Sequence, residues 1–558
     1  MKKVLGVSLM LAVMSTSAIA QMRDSDCDPN EADCSKGESQ VKEPNHDIYP
    51  YKPFSTDEMR SRIERMTENK NFLWDIREME RRGLNRANTR VQPWGGSFWP
   101  LIGGGVANTY QKKDQTIFIT TPLQNVMWQK NYSDFKKRRE KVYPNIYDLS
   151  EEELAKLAPS EKYDLILGDT TFDLTNRVWD YVQRWGSGKK WNFLTKIDLP
   201  DGYRIPEASH FMAIWEGICH GWALGAGYTA RPEKTFFITL PNGKKMAVYP
   251  NDVKALASLM WANSTIQDNV LFEGNRCNKR NPDRDKFGRF IDTQIDQNDS
   301  VLLPRCADVH PGVFHTTVVN VMGIEGRPIV LDHNAKLPIA NQPVGGYELE
   351  YFNPKDGKTG PLSTSMISVS DYGDKDLYKI NRNPETAYIV GVAMNVKYID
   401  WELPKKHESN TPADDTVVDY KFNYDLEINA AGKIVGGQWR VSRKGGTGLF
   451  KQTTNQPDYF WLAPRDYKKY FQPVPGISQW DDSRNPLPPA EWKDAAKVAH
   501  SFQYEESAKY WGASPTCTVF PVDKDHGKDP IKVPCEFRYP KPQPLIQVVD
   551  KLVEMARR

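Results

Sequence analysis

The sequence predicts an α+β fold in which a helix carrying a cysteine packs with an antiparallel sheet, and three features indicate it. A short helix of small residues is predicted over residues 219–228, directly after the turn residue Gly217. The Asn242-Gly243 pair between two apolar runs is the strongest short signal for a β-hairpin. Alternating apolar residues over 313–322 and 420–428 predict further strands.

The length and charge of the chain limit the functions that it can have. A length of 558 residues predicts about three or four domains. The 74 basic and 72 acidic residues leave a net charge of +2, so no overall field favours nucleic acid or an anionic membrane surface. The expected partners are therefore proteins or small molecules.

The N-terminus has the three parts of a secretory signal peptide over residues 1–20. Lys2 and Lys3 precede the apolar stretch 4–14, and Ala18-Ile19-Ala20 resembles a cleavage site. The mature protein is expected to begin near Gln21 and to be secreted or periplasmic. No other stretch approaches the roughly 18 apolar residues of a membrane span, so we expect a soluble protein after cleavage.

Composition divides the mature chain into four regions. Residues 21–53 are polar and read as a linker, and residues 54–93 form an N-terminal helical segment that begins with a capping-box pattern at Ser55. Residues 94–404 are the expected catalytic core, and 405–558 a β-rich C-terminal extension with a terminal helix. The N-terminal segment is interpreted as packing helices, with a removable pro-segment covering the active site as the alternative.

Other elements follow from local signals along the chain. Helices are predicted at residues 150–157, 178–185, 251–261 and 544–555, and strands at 235–240, 245–249, 387–396 and 420–428.

Two predicted strands carry the candidate partners of the cysteine. Residues 313–322 are β-branched and alternate, with His315 at the start of the strand, and a turn leads to a second strand that holds Asp332 and Asn334. Antiparallel pairing of the two strands would place Asp332 diagonal to His315 on one face and Asn334 directly opposite it. His333 has the other parity and would point to the opposite face.

Seven cysteines in an exported chain leave one without a partner. Local spacing suggests three disulfides that leave Cys219 free: Cys27–Cys34, Cys277–Cys306 and Cys517–Cys535. This pairing is one of several connectivities that six cysteines allow, and the alternative is a buried structural or disulfide-bonded Cys219.

The chemistry of a thiol nucleophile explains this set of residues. A helix N-terminus lowers a thiol pKa from about 8.5, so Cys219 is expected to ionise readily. His315 would take the thiol proton, and Asp332 or Asn334 would fix the imidazole tautomer. A cysteine on a helix followed by His and then Asp or Asn on strands is the order of papain-like and transglutaminase-like folds.

Three stretches together resemble the oomycete transglutaminase elicitors and their bacterial relatives. They are Trp215-Glu-Gly-Ile-Cys-His-Gly-Trp222, the strands of His315 and Asp332, and Asn341 to Phe352; the resemblance covers roughly residues 94–465. It implies a papain-like core that forms γ-glutamyl-lysine bonds with a triad of Cys219, His315 and Asp332. Residues 341–352 resemble the surface peptide by which plants detect those elicitors, but Gly345-Gly346 replaces the usual basic residue.

The resulting hypothesis is a transglutaminase that joins a glutamine-donor protein to a lysine-acceptor protein without a cofactor. A cysteine protease or glutamine deamidase would use the same residues, and a non-catalytic surface-recognition protein is the alternative of another class. Trp215 and Trp222 are candidate walls that keep water from the thioester, although packing explains them equally well. Acidic residues at 283–285 and 292–299 are compatible with calcium binding, but we favour a solvated loop.

Overall fold

The computed structural model describes the following ranges of the chain: 55–108, 121–186, 195–196, 203–204, 216–274, 309–333, 340–376, 378–379, 382–402, 408–443, 452–454, 456–500, 503–506, 516–521, 531–534, 536–540 and 542–558.

The α-helices of the described ranges are α1 (Thr56–Thr67), α2 (Ile76–Arg81), α3 (Thr121–Lys141), α4 (Glu151–Ala155), α5 (Pro159–Ile166), α6 (Asp173–Gly186), α7 (Cys219–Tyr228), α8 (Pro250–Ala262), α9 (Pro311–Val318), α10 (Leu362–Ser365), α11 (Val369–Tyr372), α12 (Glu491–His500) and α13 (Ile546–Met555). The strands are β1 (Arg86–Asn88), β2 (Thr195–Lys196), β3 (Tyr203–Arg204), β4 (Phe236–Thr239), β5 (Lys245–Val248), β6 (Leu271–Gly274), β7 (Ile329–Asp332), β8 (Gln342–Phe352), β9 (Thr359–Gly360), β10 (Ile367–Ser368), β11 (Tyr388–Ile399), β12 (Val417–Ile428), β13 (Ile434–Trp439), β14 (Val441–Arg443), β15 (Gln452–Thr454), β16 (Tyr459–Leu462), β17 (Gln503–Glu506), β18 (Thr516–Pro521), β19 (Ile531–Pro534) and β20 (Glu536–Pro540). Short 3-10 turns lie at Leu101–Gly103, Gly105–Ala107, Tyr143–Asp148, Thr265–Asp268, Gly373–Lys375, Pro412–Asp414 and Tyr467–Tyr470.

A ten-stranded antiparallel sheet forms the centre of the molecule. Its strands lie in the order β13-β12-β11-β8-β7-β16-β6, while β1 and β9 pair with β8 and β10 pairs with β11. The longest pairings join β11 to β12 and to β8. The predicted mixture of helices and antiparallel strands is therefore confirmed.

The pleat of the sheet gives it two apolar faces that carry different helices. Tyr459 and Trp461 of β16 pack with α7 and α8, and we call this the α7 face. Phe460 and Leu462, which alternate with them, pack with α1 and α9, and we call this the α9 face. Because successive strand residues point to opposite faces, the parity of a residue decides which helical layer it contacts.

The N-terminal segment forms part of the α9 face. Ser55 accepts a hydrogen bond from the Glu58 backbone N–H at 3.2 Å and so caps α1, as its capping pattern predicted. Met59 and Ile63 of α1 are fully buried against this face. Helix α1 thus packs on the side of the sheet opposite α7.

The strand predicted at residues 313–322 is wrong. Residues 311–318 form α9, and a π-helical turn, Val319–Ile324, continues it. Pro311 occupies the first position of this helix, where its missing N–H costs nothing. Every residue of α9 is buried, so its β-branched sequence shows no amphipathic period that would distinguish it from a buried strand.

Strand β7 forms as predicted, but its partners differ from the expected ones. Val330 pairs with Pro343 of β8 on one side, and Asp332 pairs with Tyr459 of β16 on the other. The proposed antiparallel pair between residues 313–322 and 329–334 therefore does not exist.

Several locally encoded elements agree with the sequence. Helix α7 has the predicted bounds, and the hairpin of β4 and β5 turns through Gly243, whose φ is +81°. The expected domain boundary at residues 404–405 falls between β11 and β12, which pair along their whole length, so the central sheet extends across it. In the described ranges, none of the helices is both long and apolar enough to cross a membrane.

Candidate functional site

Cys219 is the first residue of α7 and follows a tightly held turn. The Ile218 N–H donates to the Phe98 carbonyl at 2.7 Å, and the Leu101 N–H donates to the Glu216 carbonyl at 2.9 Å. A Cβ on Gly217 would lie 2.1 Å from the same Phe98 carbonyl, so the turn requires glycine here. Cys219 is a free cysteine, and the residue is partly buried at the start of the helix.

The thiol of Cys219 has a direct side-chain partner on the sheet. Asn341, the residue before β8, donates from Nδ2 to the Cys219 Sγ at 3.2 Å. The Asn341 Oδ1 accepts from the Trp461 Nε1 at 3.0 Å, and the Tyr459 hydroxyl lies 3.5 Å from the same oxygen. Asn341, Tyr459 and Trp461 are all buried.

Asp332 supplies the carboxylate of the site. It ends β7 opposite Tyr459, so the two side chains share the α7 face. Its side chain is 1% exposed, and its Oδ2 accepts a hydrogen bond from the Ala340 N–H at 3.1 Å. This bond ties the strand end to the residue that precedes Asn341.

The electrostatic balance at the thiol differs from the prediction. Burial raises the pKa of Cys219 above its usual value, and the negative charge of Asp332 adds to this increase. The Asn341 hydrogen bond and the backbone N–H groups of His220 and Cys219 lower the pKa but do not reverse the result. The predicted depression of the thiol pKa is wrong because the helix N-terminus was considered without the burial.

His315 lies away from Cys219, on the α9 face. It is fully buried, its Nδ1 lies 2.9 Å from the Tyr424 hydroxyl, and burial lowers its pKa to about 3. Its neighbour Phe314 contacts Phe460, which also belongs to the α9 face. The structure thus brings Cys219 and Asp332 to one face and places His315 at the other.

Of the remaining candidates, Asn334 lies outside the described residues. His333 has the parity expected of it: its ring stacks on Tyr398 of the α9 face, 4.9 Å between centroids. The triad of Cys219, His315 and Asp332 stays a prediction. In the structure Cys219 and Asp332 lie on the same face of the sheet, and His315 lies on the other face.

The sequence did not identify Asn341, Tyr459 and Trp461 as site residues. Asn341 begins one of the stretches that carry the family resemblance, and Trp461 lies within residues 94–465 that the resemblance covers, but nothing at either position indicates contact with Cys219. Knowledge of the pairing of β7 with β8 and β16 would have identified these three residues, because that pairing places their side chains beside Asp332.

The candidate aromatic walls and the elicitor-like segment do not form an exposed surface in the described residues. Trp222 is 1% exposed, and its Nε1 donates to the Trp94 carbonyl at 3.3 Å, so it packs beneath α7. Trp215 lies outside the described residues. The segment that resembles the elicitor peptide forms β8 in the interior of the sheet, where only Glu348 and Glu350 are exposed.

The expected disulfides and the acidic loops fall largely outside the described part of the chain. The cysteines at 27, 34, 277, 306 and 535 lie outside it, and only the backbone of Cys517 is described, in β18. The acidic stretches at 283–285 and 292–299 also lie outside. Within the described ranges, no group of three or more His, Cys, Asp or Glu side chains is arranged to hold a metal ion.

Comparison with known proteins finds similarity in this region. Residues 203–469 match the family model of the transglutaminase elicitors. Among solved structures, the chain is similar to the GP42 transglutaminase from Phytophthora sojae, at 17% sequence identity and a TM-score of 0.43, over 73% of this chain and 90% of that chain. A search of curated proteins found no match. The resemblance to the transglutaminase elicitors that the motifs indicated is thereby confirmed as a family-model match over residues 203–469.

Proposed function

We propose that the chain is a secreted protein-glutamine γ-glutamyltransferase with a papain-like core, in which Cys219 is the nucleophile. The observation that carries this proposal is the position of the thiol. Cys219 begins α7, is partly exposed, and contacts the buried Asn341 beside the carboxylate strand of Asp332. Acyl transfer through a thioester uses a thiol with a neighbouring group that can take its proton, and the Asp332 carboxylate is the group proposed for this.

The proposed reaction proceeds in two steps. The Cys219 sulfur attacks the carboxamide carbon of a glutamine side chain, and the C–N bond breaks to release ammonia. We propose that Asp332 receives the thiol proton and passes it to the departing nitrogen, because its charge acts on the thiol. A lysine amine then attacks the thioester, loses a proton, and regenerates the thiol.

The burial around the thiol determines which acceptor resolves the thioester. Water would give a deamidated glutamine, whereas an amine gives the cross-link. Phe98, whose carbonyl holds the turn before Cys219, packs edge-on against Trp401 at 5.0 Å between ring centroids. This aromatic pair lies next to the turn and would limit the access of water to the acyl group, which favours the amine.

The test uses the full chain with a glutamine-donor peptide and a lysine-donor peptide, followed by mass spectrometry. We expect joined peptides with release of ammonia, and no joining with Cys219→Ala. Conversion of the glutamine to glutamate without joining would identify a deamidase, and cleavage of the peptide backbone would identify a protease. Joining by a folded Cys219→Ala variant would exclude Cys219 as the nucleophile.

A non-catalytic recognition protein is the second candidate, and the raised pKa of Cys219 favours it. A thiol that stays protonated at neutral pH reacts slowly. Alkylation of the native protein at pH 7 distinguishes the two candidates. The enzyme should react at Cys219 in the presence of a glutamine substrate analogue, whereas a scaffold should leave the thiol unmodified.

A further inference from the structure

We propose that Trp461 orients the Asn341 carboxamide so that one N–H bond points at Cys219 Sγ and the other donates to the carbonyl oxygen of the acyl donor. Asn341 would touch the reacting sulfur and would be a further catalytic residue. Trp461 would act through Asn341 and would be a positioning residue. The role toward the acyl donor rests on the proposed function, whereas the role toward the thiol does not.

The chemistry of the tryptophan side chain fixes the orientation of the amide. An indole N–H can only donate a hydrogen bond, so the Asn341 atom 3.0 Å from Trp461 Nε1 must be the oxygen. The NH₂ group then necessarily faces Cys219 Sγ, at 3.2 Å. Rotating the amide by half a turn would set the indole N–H against the NH₂ group and would lose the bond to Trp461.

Distances and packing indicate that Trp461 is the main positioning group. The bond from Trp461 to Asn341 Oδ1 is 3.0 Å long, whereas the Tyr459 hydroxyl lies 3.5 Å from the same atom. The shorter distance lies within the usual hydrogen-bond range and the longer one at its limit. Trp461 is 3% exposed and pairs with Val330 and Phe272 on its two neighbouring strands, so its indole is held in place.

The charge balance at the thiol gives this orientation a function. Asp332 and burial both disfavour the thiolate, while the N–H groups of Cys219 and His220 favour it from the start of α7. Asn341 supplies the side-chain donor that favours the thiolate. Nδ2 carries two N–H bonds, and within the described residues it donates one of them to the sulfur. The second N–H is the one we assign to the substrate oxygen, as in an oxyanion hole.

The test measures the alkylation rate of Cys219 by iodoacetamide against pH, in the full chain without substrate. Trp461→Phe keeps the aromatic ring and removes only the N–H donor. We expect the inflection of its pH–rate profile to move up by about one pH unit, which is the size of effect that a hydrogen bond to a charged group has on a pKa. Tyr459→Phe is the matched control and should leave the inflection in place.

Asn341→Leu provides a second variant in case Trp461→Phe does not fold. It removes the donor itself and should move the inflection in the same direction. Thermal unfolding of each variant identifies the folded samples. If either variant is folded and keeps the wild-type inflection, the proposal is overturned, whether or not the chain transfers acyl groups. A merely structural role for Trp461 would lower the unfolding temperature without moving the inflection.

The outcome of this test is separable from that of the proposed function. Suppose that the inflection moves but neither the wild type nor any variant joins peptides. The positioning role of Trp461 and Asn341 toward the thiol is then supported, and the proposed acyl transfer is contradicted. If the wild-type joins peptides, Trp461→Phe should lower kcat about tenfold and leave the KM of the glutamine peptide unchanged, because the lost interaction acts on the reacting atoms. A rise in KM alone would overturn the role of Asn341 toward the reaction.

Discussion

The Nδ1 of His315 lies 2.9 Å from the Tyr424 hydroxyl, within the apolar cluster that α9 forms against the central sheet. Cys219 packs with the cluster on the other face. A sheet of hydrogen-bonded strands thus stands between this imidazole and the thiol. Burial of the ring keeps it neutral, since its pKa falls to about 3. In this arrangement the neutral His315 ring packs against Tyr424.

We predict that His315→Leu retains amine incorporation but is less stable than the wild type. The variant leaves the buried Tyr424 hydroxyl without its imidazole partner, which should cost about 1–3 kcal/mol in the free energy of unfolding. Tyr424→Phe removes the other partner and is the matched control, with a similar loss. The measurements are urea unfolding and incorporation of a fluorescent amine into a glutamine-rich protein. A folded but inactive His315→Leu variant would contradict this prediction and would support a catalytic triad that includes His315.

We predict opposite effects of Asp332→Asn on thiol ionisation and on catalysis. Removing the negative charge should lower the pKa of Cys219, because that charge raises it in the wild type. Alkylation at a given pH below the inflection should therefore become faster. Acyl transfer should nevertheless fall by about 10²–10⁴-fold, the usual contribution of an acid–base group. If alkylation and transfer both become faster, Asp332 takes no part in proton transfer.

Local signals were sufficient to predict several parts of the fold and of the site. The small residues after Gly217 predicted α7, and the Asn242-Gly243 turn predicted the β4–β5 hairpin. Asp332 was placed correctly on a strand, and His333 on the opposite face. In each case the information lies within a few residues of the element that it specifies.

Long-range pairing could not be predicted in the same way. Strand β16 begins at Tyr459, far along the chain from Asp332, yet it forms the neighbour of β7. Nothing local in the sequence encodes that pairing, so Trp461 could not be connected with Cys219. The error at residues 313–322 has another cause: a fully buried helix shows no polar face, and its β-branched residues favoured a strand.

We predict that Gly221→Ala destabilises the protein, whereas Gly225→Ala in the same helix does not. A Cβ at Gly221 would lie 2.2 Å from the Ser258 carbonyl oxygen of α8 and 2.5 Å from the Ala262 Cβ, so the two helices would have to move apart. We expect a loss of about 3 kcal/mol in the free energy of unfolding. At Gly225 the nearest atom lies 3.4 Å away, on Trp261, and alanine favours the helix by about 1 kcal/mol. Equal stabilities of the two variants in urea unfolding would show that α7 does not pack closely on α8.

The last prediction concerns His333, whose burial against Tyr398 lowers its pKa to about 4. In the unfolded chain the pKa of a histidine is about 6.5. Between these two values the unfolded state binds a proton that the folded state does not accept, so stability falls as the pH is lowered. The contribution of this one residue should reach about 3 kcal/mol at pH 4, because each pKa unit corresponds to about 1.4 kcal/mol.

His333→Phe isolates this contribution, because phenylalanine keeps a ring against Tyr398 but cannot be protonated. The other buried histidines and the carboxylates titrate in both proteins, so the difference between the two free energies of unfolding reports His333 alone. We expect the free energy of unfolding of the wild type minus that of His333→Phe to decrease as the pH falls from about 6.5 to about 4. Above pH 7 this difference should be constant. Urea unfolding at a series of pH values measures it. Parallel curves for the two proteins across this range would mean that His333 is protonated as easily in the folded state as in the unfolded state, and that its ring is open to water.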